Sequence, residues 1–484
     1  MRRTSGLSVY KKTLSIILIV ALSFLQFSCK DETEEHNDQF TVTFDTRGGS
    51  PTPPFQQIIA GKFAEQPAVD PVKGDSAFIG WFTSSNLKFN FKSNPVNQDL
   101  TLYAKWWGGP EQYVFLNDYD WAYNYEKIKV LFGSSKGKTV AVGAGFIIYC
   151  FERASAVLEQ EIKEHLRLSQ ELEIPVLVQL DAITFMGARP DLWNWWDPSQ
   201  AGYNPDNKNN VEWTSWSPDD AVKIGWLNWG RQIRLNPMPN LMSPVYRQAV
   251  ADEMTHLITI VAQWYQQLPA DKKYLFGGVK VTGEMFLGVN NWYYPNGNSY
   301  VGQDPANDPQ TGINVLDVPG RGVQTIGYAA LKTAGIKTSG NITGDDIAET
   351  ARRHSEIVSK LCADLGIPRD HIFSHAAGHG KDLKACINQY ASPSWSFYGQ
   401  DAVNPAGYAE ALDVLRTSDA PCFGIAEWSI GDSQDSHKWT DAIRNGLSVP
   451  RCRYLSVYAN VVGNDYFNTN PNLYAVQGIK AVQE

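Results

Sequence analysis

The chain has 484 residues, 43% hydrophobic and 19% charged, a composition that folds rather than stays disordered and a length that accommodates one domain of roughly 250 residues or more plus a small one. Its formal net charge is −9; residues 1–28 hold four basic and no acidic side chains, so without them 38 basic face 51 acidic side chains and the charge is −13. That balance argues against nucleic-acid binding, which needs Lys and Arg to neutralise phosphates.

Arg2, Arg3, Lys11 and Lys12 precede an apolar run from Leu14 to Leu25. A charged start followed by so short an apolar stretch is the pattern of an export signal, residues 1–28, and is too short to span a bilayer. The run ends Leu25-Gln26-Phe27-Ser28-Cys29, followed by Lys30-Asp31-Glu32 and then Glu34-Glu35. This resembles a bacterial lipoprotein signal, with Cys29 lipidated. The acidic linker, residues 29–39, looks like the tag that carries Bacteroidetes lipoproteins to the cell surface. The resemblance implies an outer-membrane protein held by an N-terminal lipid anchor and exposed at the surface; Gln26 stands where such signals usually have an aliphatic residue. The other cysteines, Cys150, Cys362, Cys386, Cys422 and Cys452, are widely spaced and odd in number, which is neither a disulfide framework nor a metal-ligand pattern. Buried free thiols are expected, with a Cys422–Cys452 bridge left open in an oxidising compartment.

Residues 40–106 read as a small β-rich domain. Phe40 to Phe44 alternates as a strand, Arg47-Gly48-Gly49-Ser50 turns it, and Phe78 to Trp81 and Leu100 to Trp106 are further strands. The succession VTFDTRGGSPTPP, Gly61, FIGWF, DLTLYAKW resembles the Listeria–Bacteroides repeat, the B-repeat of internalin-type surface proteins. The resemblance implies a β-grasp-like spacer or adhesion module with Trp81 and Trp106 in its core.

After a hinge expected at Trp107-Gly108-Gly109-Pro110, residues 108–484 alternate strand-like and helix-like segments, the pattern of a parallel α/β architecture. Eight strands are counted: 139–149, 174–180, 232–235, 274–284, 371–377, 393–398, 422–428 and 453–459. Helices are expected at 152–171, 244–268, from Thr343 to about 365, and at about 404–417, 435–447 and 474–482. The fold class is therefore α/β, a (β/α)8 TIM barrel preceded by the small domain.

The apolar run Tyr274 to Val281 ends at Glu284, and PCFGIAEW ends at Glu427 and Trp428. A barrel builds its active site at such strand ends, and glycosidic cleavage needs two carboxyl groups across the scissile bond. Glutamates ending strands four and seven resemble the clan A glycoside hydrolases. That resemblance implies a retaining hydrolase with Glu284 as acid/base and Glu427 as nucleophile, about 5 Å apart, the acid raised by apolar neighbours Met285 and Phe286. Clan A usually has Asn before the acid/base; here Gly283 stands there.

The chain holds 16 Trp, and LWNWWDP (192–198), NVEWTSW (210–216) and GWLNWG (225–230) mix that ring with short polar side chains, which suits the apolar faces and polar rims of sugars. Trp196, Trp229, Trp292, Trp395 and Trp428, with Asp181, His375 and Tyr398 at strand ends, are the expected substrate contacts, and Glu212 is a spare carboxylate. His375 and His379 have no supporting ligands for a metal, and no nucleotide or nucleophile-elbow motif occurs, so no cofactor is expected. The partners expected are a poly- or oligosaccharide and the membrane. The alternative is a non-catalytic glycan-binding or adhesion lipoprotein, which a carboxylate gap well beyond 10 Å would favour.

Overall fold

The computed structural model describes residues 38–483 except 75, 77, 118–124, 229–231, 285–287, 291–323, 377–379, 432 and 459–472. The export segment, Cys29, Met285, Phe286, Trp229, Trp292 and His379 lie outside the described residues.

Four strands form the small sheet: β1 (Gln39–Asp45), β2 (Gln56–Ile59), β3 (Phe78–Phe82) and β4 (Leu100–Trp106), in the order β2-β1-β4-β3. The central pair is parallel and the outer pairs antiparallel. Alternation along β1 turns Val42 and Phe44 inward to meet Trp81, Leu102 and Ala104 in a separate apolar core. Trp106 belongs to this unit, donating from its indole to the Thr46 carbonyl at 3.0 Å. Its neighbour Trp107 does the opposite: it donates to the Lys138 carbonyl at 2.9 Å and packs edge-on against Tyr274. The expected hinge is thus pinned to the larger domain by its first residue.

The larger domain is a closed parallel barrel of β5 (Gln112–Asn117), β6 (Val140–Tyr149), β7 (Val176–Asp181), β10 (Phe276–Lys280), β13 (Ile372–Ala376), β14 (Ser392–Tyr398), β15 (Phe423–Ser429) and β16 (Cys452–Tyr458). Two expectations are corrected. The run 232–235 is β9 (Gln232–Leu235), paired antiparallel with β8 (Gly225–Asn228) in a separate ribbon, and an antiparallel ribbon has no place in this parallel ladder. The first barrel strand is instead β5, a six-residue run whose Tyr113 to Leu116 are all buried, against the expected hinge. The two errors cancel in the count, so Glu284 follows the fourth barrel strand and Glu427 lies near the C-terminal end of the seventh.

A further two-residue ribbon pairs β11 (Val289–Asn290) with β12 (Gln324–Thr325). The helices are α1 (Tyr125–Phe132), α2 (Ser155–Leu172), α3 (Pro244–Gln267), α4 (Tyr328–Thr333), α5 (Gly344–Asp364), α6 (Gln400–Val403), α7 (Ala409–Thr417), α8 (Ser436–Ser448) and α9 (Tyr474–Gln483). Their starts follow from chemistry: Ser243 caps α3 ahead of Pro244, and Thr343 and Asp346 form a reciprocal capping box on α5. Among the described residues no helix is long and apolar enough to cross a membrane. Cys150, Cys362, Cys386, Cys422 and Cys452 are all buried free thiols.

What positions the site is the filling of the barrel. Its N-terminal end is plugged by Tyr113, Phe115, Leu177, Phe373 and Tyr454, with Phe373 edge-on to Tyr454 at 4.7 Å. The plug is tight enough that a Cβ on Gly424 would fall 2.2 Å from the Tyr454 ring. Above the plug the inward positions turn polar, with Lys280, His375, Ser394 and Ser396, and the carboxylates stand at the C-terminal mouth.

Candidate active site

Glu427 reaches the interior because β15 carries a bulge. Trp395 and Ser396 on β14 are consecutive, yet they pair with Ile425 and Glu427; on the other side Leu455 and Val457 pair with Ile425 and Trp428. Both ladders slip by one at Ala426. Gly424 faces the plug and Ile425 faces the helices, so strict alternation would send Glu427 outward with Ile425. The extra residue reverses that parity, a recurrent use of bulges beside functional sites.

The result is a cluster in which Glu284, His375 and Glu427 each place an atom within 4.8 Å of the others. Ser396 Oγ lies between the carboxylates, 3.3 Å from Glu284 Oε1 and 3.5 Å from Glu427 Oε2. The Tyr398 hydroxyl donates to Glu427 Oε2 in a short hydrogen bond. His375 Nε2 is 2.9 Å from Ser396 Oγ, and its Nδ1 faces Lys280 Nζ at 3.5 Å. Thr282 holds the His375 backbone at both ends, accepting from its N–H at 2.8 Å and donating to its carbonyl at 3.0 Å.

These surroundings separate the two carboxyl groups. Burial, and then the Glu427 charge, push Glu284 up to about 8 against the opposing pull of Lys280 and Ser396. The upward direction favours the protonated form of Glu284 beside an anionic partner, the arrangement a proton donor needs. The acid arises from burial at the barrel mouth and a neighbouring anion. Burial lowers Lys280, while Glu427, Glu284 and Asp181 support its charge. His375 is held well below its ordinary range by burial and by Lys280, so it is neutral. Burial and the adjacent Glu427 raise Tyr398, which stays a hydrogen-bond donor.

Asp181 ends β7, 3% exposed. Its Oδ1 accepts from the Ile183 and Thr184 amides at 2.7 and 3.0 Å, and its Oδ2 from the Thr184 hydroxyl at 2.7 Å. A Cβ on Gly283 would lie 2.2 Å from Asp181 Oδ2. Glycine before Glu284 is thus a consequence of the neighbouring carboxylate, which fills the volume that a longer side chain would need.

Two expected substrate contacts are corrected. Trp395 and Trp428 are 1% and 0% exposed, on the outer face of their strands. Their indoles donate to the Leu383 and Ala402 carbonyls at 3.0 and 3.1 Å, and Trp428 packs on Trp439 of α8. Trp428 follows an inward Glu427 and Trp395 precedes an inward Ser396, so alternation turns both rings to the helices. Trp196 is half-buried among Trp193 and Trp195, 5.5 and 5.9 Å away. Much of the Trp-rich region is loop packing: Trp193, Trp195, Trp213 and Trp216 each donate to a backbone carbonyl. Glu212, fully buried and raised to about 8 by that burial, accepts from the Gly327, Ala329 and Ala330 amides at the start of α4.

Lys280, Thr282 and Ser396 were missed by sequence reasoning, and one had a signal: a lysine inside GGVKV, a strand buried on both faces, needs a buried partner. As a metal site the Glu284–His375–Glu427 donor set is poor, because the Lys280 ammonium already supplies the compensating positive charge at His375 Nδ1.

Among solved structures, the fold is similar to the catalytic domain of β-amylase from Paenibacillus polymyxa, at TM-score 0.44 and 9% identity over 78% of this chain and 100% of that one. It is also similar to a glycoside hydrolase family 5 enzyme from Prevotella bryantii, at TM-score 0.36 and 8% identity over 75% and 86%, and to a family 26 protein from a Muricauda species, at TM-score 0.33 and 11% identity over 76% and 88%. The barrel itself is established by its strand pairing. A Gly-rich membrane protein of Evansella cellulosilytica is 34% identical over 71 residues, 14% of this chain and only 8% of that protein. Residues 40–105 match the Listeria-Bacteroides repeat domain family.

Proposed function

We propose that the barrel is a retaining glycoside hydrolase in which Glu284 is the acid/base and Glu427 the nucleophile, with a poly- or oligosaccharide as substrate. The observation that carries this reading is the pair itself. Two carboxyl groups with atoms within 4.8 Å of each other, one raised to about 8, meet the spacing and the division of protonation that double displacement requires. Retaining pairs stand about 5 Å apart, whereas inverting pairs leave roughly 6.5–9.5 Å for a water. So close a pair also counts against a non-catalytic binding barrel.

In the first step the Glu427 carboxylate attacks the anomeric carbon as the C–O bond breaks, and the Glu284 proton goes to the departing oxygen. In the second, water attacks that carbon, gives its proton to Glu284 and releases Glu427 as a carboxylate. Tyr398 donates to Glu427 and orients the attacking oxygen. Trp196, Trp229 and Trp292 remain the proposed sugar contacts, whereas Asp181 and His375, both buried with their polar atoms engaged inside the protein, support the site from beneath. We further propose that a lipid anchor at Cys29, with the repeat module as spacer, holds the barrel at the outer surface of the cell.

The test is a screen of aryl glycosides with host and plant polysaccharides, followed by proton NMR of the first product formed. Retention of anomeric configuration, lost together with turnover in Glu284→Gln and in Glu427→Gln, supports the reading. Inversion, or near-normal turnover in either variant, refutes it.

A further inference from the structure

Beneath the two carboxylates lies a line of polar groups that the double displacement does not by itself require. Lys280 sits on β10, His375 on β13 and Ser396 on β14; the first two have no exposed surface. The contacts run Lys280 Nζ to His375 Nδ1 at 3.5 Å, His375 Nε2 to Ser396 Oγ at 2.9 Å, and Ser396 Oγ to both Glu284 Oε1 and Glu427 Oε2 at 3.3 and 3.5 Å.

The direction of each hydrogen bond follows from what the groups can do. A lysine ammonium has donors and no acceptor, so His375 Nδ1 must accept. A neutral imidazole accepting at Nδ1 carries its proton on Nε2, so Nε2–H donates to Ser396 Oγ. The serine has one proton, and with its oxygen occupied as an acceptor that proton points up to a carboxylate. Two carboxylate oxygens lie at nearly equal, long distances, and there is one proton for both.

We propose that Lys280, His375 and Ser396 form a one-way hydrogen-bond chain whose last proton is handed between Glu427 and Glu284, always to the carboxyl group that carries the negative charge. The handing-over rests on the glycosidase reading; the chain itself does not. In the free enzyme the charge is on Glu427. Once Glu427 is esterified by the sugar and Glu284 has given up its proton, the charge is on Glu284, and rotation of the Ser396 hydroxyl follows it without movement of any heavy atom. Lys280 supplies the positive charge behind the chain, and Thr282 fixes the histidine that transmits it. Ser396, His375 and Lys280 are positioning residues here; the bond-making groups remain the two glutamates.

Two NMR measurements on the full chain test this without a substrate. With 15N-labelled histidine, assigned by the signal lost in His375→Gln, His375 is expected to be neutral with its proton on Nε2 from about pH 5 to 9. A proton on Nδ1, or a charged ring, overturns the chain. With 13C-carboxyl-labelled glutamate, assigned through Glu284→Gln, the Glu284 titration is read against the groups that face the cluster: Glu427 on β15, Tyr398 on β14, His375 on β13, Asp181 on β7, Tyr458 on β16 and Lys280 on its own strand. It should move up by about one pH unit in Lys280→Met, move up by less in Ser396→Ala, and stay in place in Ser396→Thr, which keeps a hydroxyl. A Ser396→Ala titration equal to wild type removes Ser396 from the chain.

The handing-over is tested with an activated aryl glycoside that the wild type turns over. Ser396→Ala should slow release of the glycosyl-enzyme by roughly tenfold or more, seen as a burst of phenol, with Ser396→Thr restoring it; unchanged kcat overturns it. If no glycoside is hydrolysed, the glycosidase reading and the handing-over fail together while the NMR still decides the chain. If hydrolysis retains configuration but the NMR goes the wrong way, only the chain fails.

Discussion

The inner and outer faces of β14 and β15 are built from neighbouring residues with opposite fates. Inward, Ser396 and Tyr398 each donate to Glu427, and Ser396 also reaches Glu284, at the mouth. Outward, Trp395 and Trp428 are sealed against the helices, each spending its one polar atom on a backbone carbonyl. The inner face accepts buried carboxyl groups at a cost in stability, and the outer face recovers it by burying two of the largest side chains in the chain. Chemistry and stability are therefore carried by side chains one peptide apart, and substitutions should separate them.

The largest effect expected is on the inner face. Glu427→Gln should lower turnover about 10^3- to 10^4-fold while thermal unfolding stays within a few degrees of wild type, as calorimetry would show. Trp428→Ala is the mirror image, a loss of about 3–5 kcal/mol in denaturant unfolding from removing a fully buried ring. If that variant lost catalysis with no loss of stability, the division between faces would be broken.

Glu284 sharpens it through pH. Its folded value of about 8 lies above the ordinary 4.5, so between those values the folded chain holds a proton that the unfolded chain has released, and stability falls as pH rises through that window. Glu284→Gln removes the penalty: the variant should be more stable than wild type at pH 8 by on the order of 4 kcal/mol, and equal to it near pH 4, in urea unfolding at the two pH values. As the proposed acid, the same group should also set the alkaline limit of activity, with kcat/KM falling above about pH 8. The smallest effect is Gly283→Ala, where the added methyl meets the Asp181 carboxylate; a loss of roughly tenfold in kcat/KM is expected from displacing Glu284.

How far the sequence could be read follows the same division. The two-face apolar runs Tyr274 to Val281 and Pro421 to Trp428 were legible as barrel strands, and so were the carboxylates near their C-terminal ends, Glu284 just past β10 and Glu427 two residues before the end of β15. The parallel α/β alternation and the helix caps were legible for equally local reasons. The facing of each side chain was not, because one bulged residue at Ala426 inverts everything after it. Even so, Glu427 and Trp428 are adjacent, and consecutive strand residues cannot both face the interior; alternation alone could have removed Trp428 from the substrate contacts. The weak strand at 232–235 and the overlooked β5 show the other limit. A four-residue run looks the same in a ribbon as in a barrel, and only pairing partners distinguish them.

The most direct test of the paired glutamates is to trap the covalent intermediate. The full chain is incubated with a panel of activated 2-deoxy-2-fluoroglycosides, whose electron-withdrawing fluorine slows the second step, and its mass is measured intact and after proteolysis. The expected result is a single added glycosyl unit located on Glu427, absent in Glu427→Gln. A glycosyl unit on any other residue, or turnover of these sugars with inversion, would contradict the account.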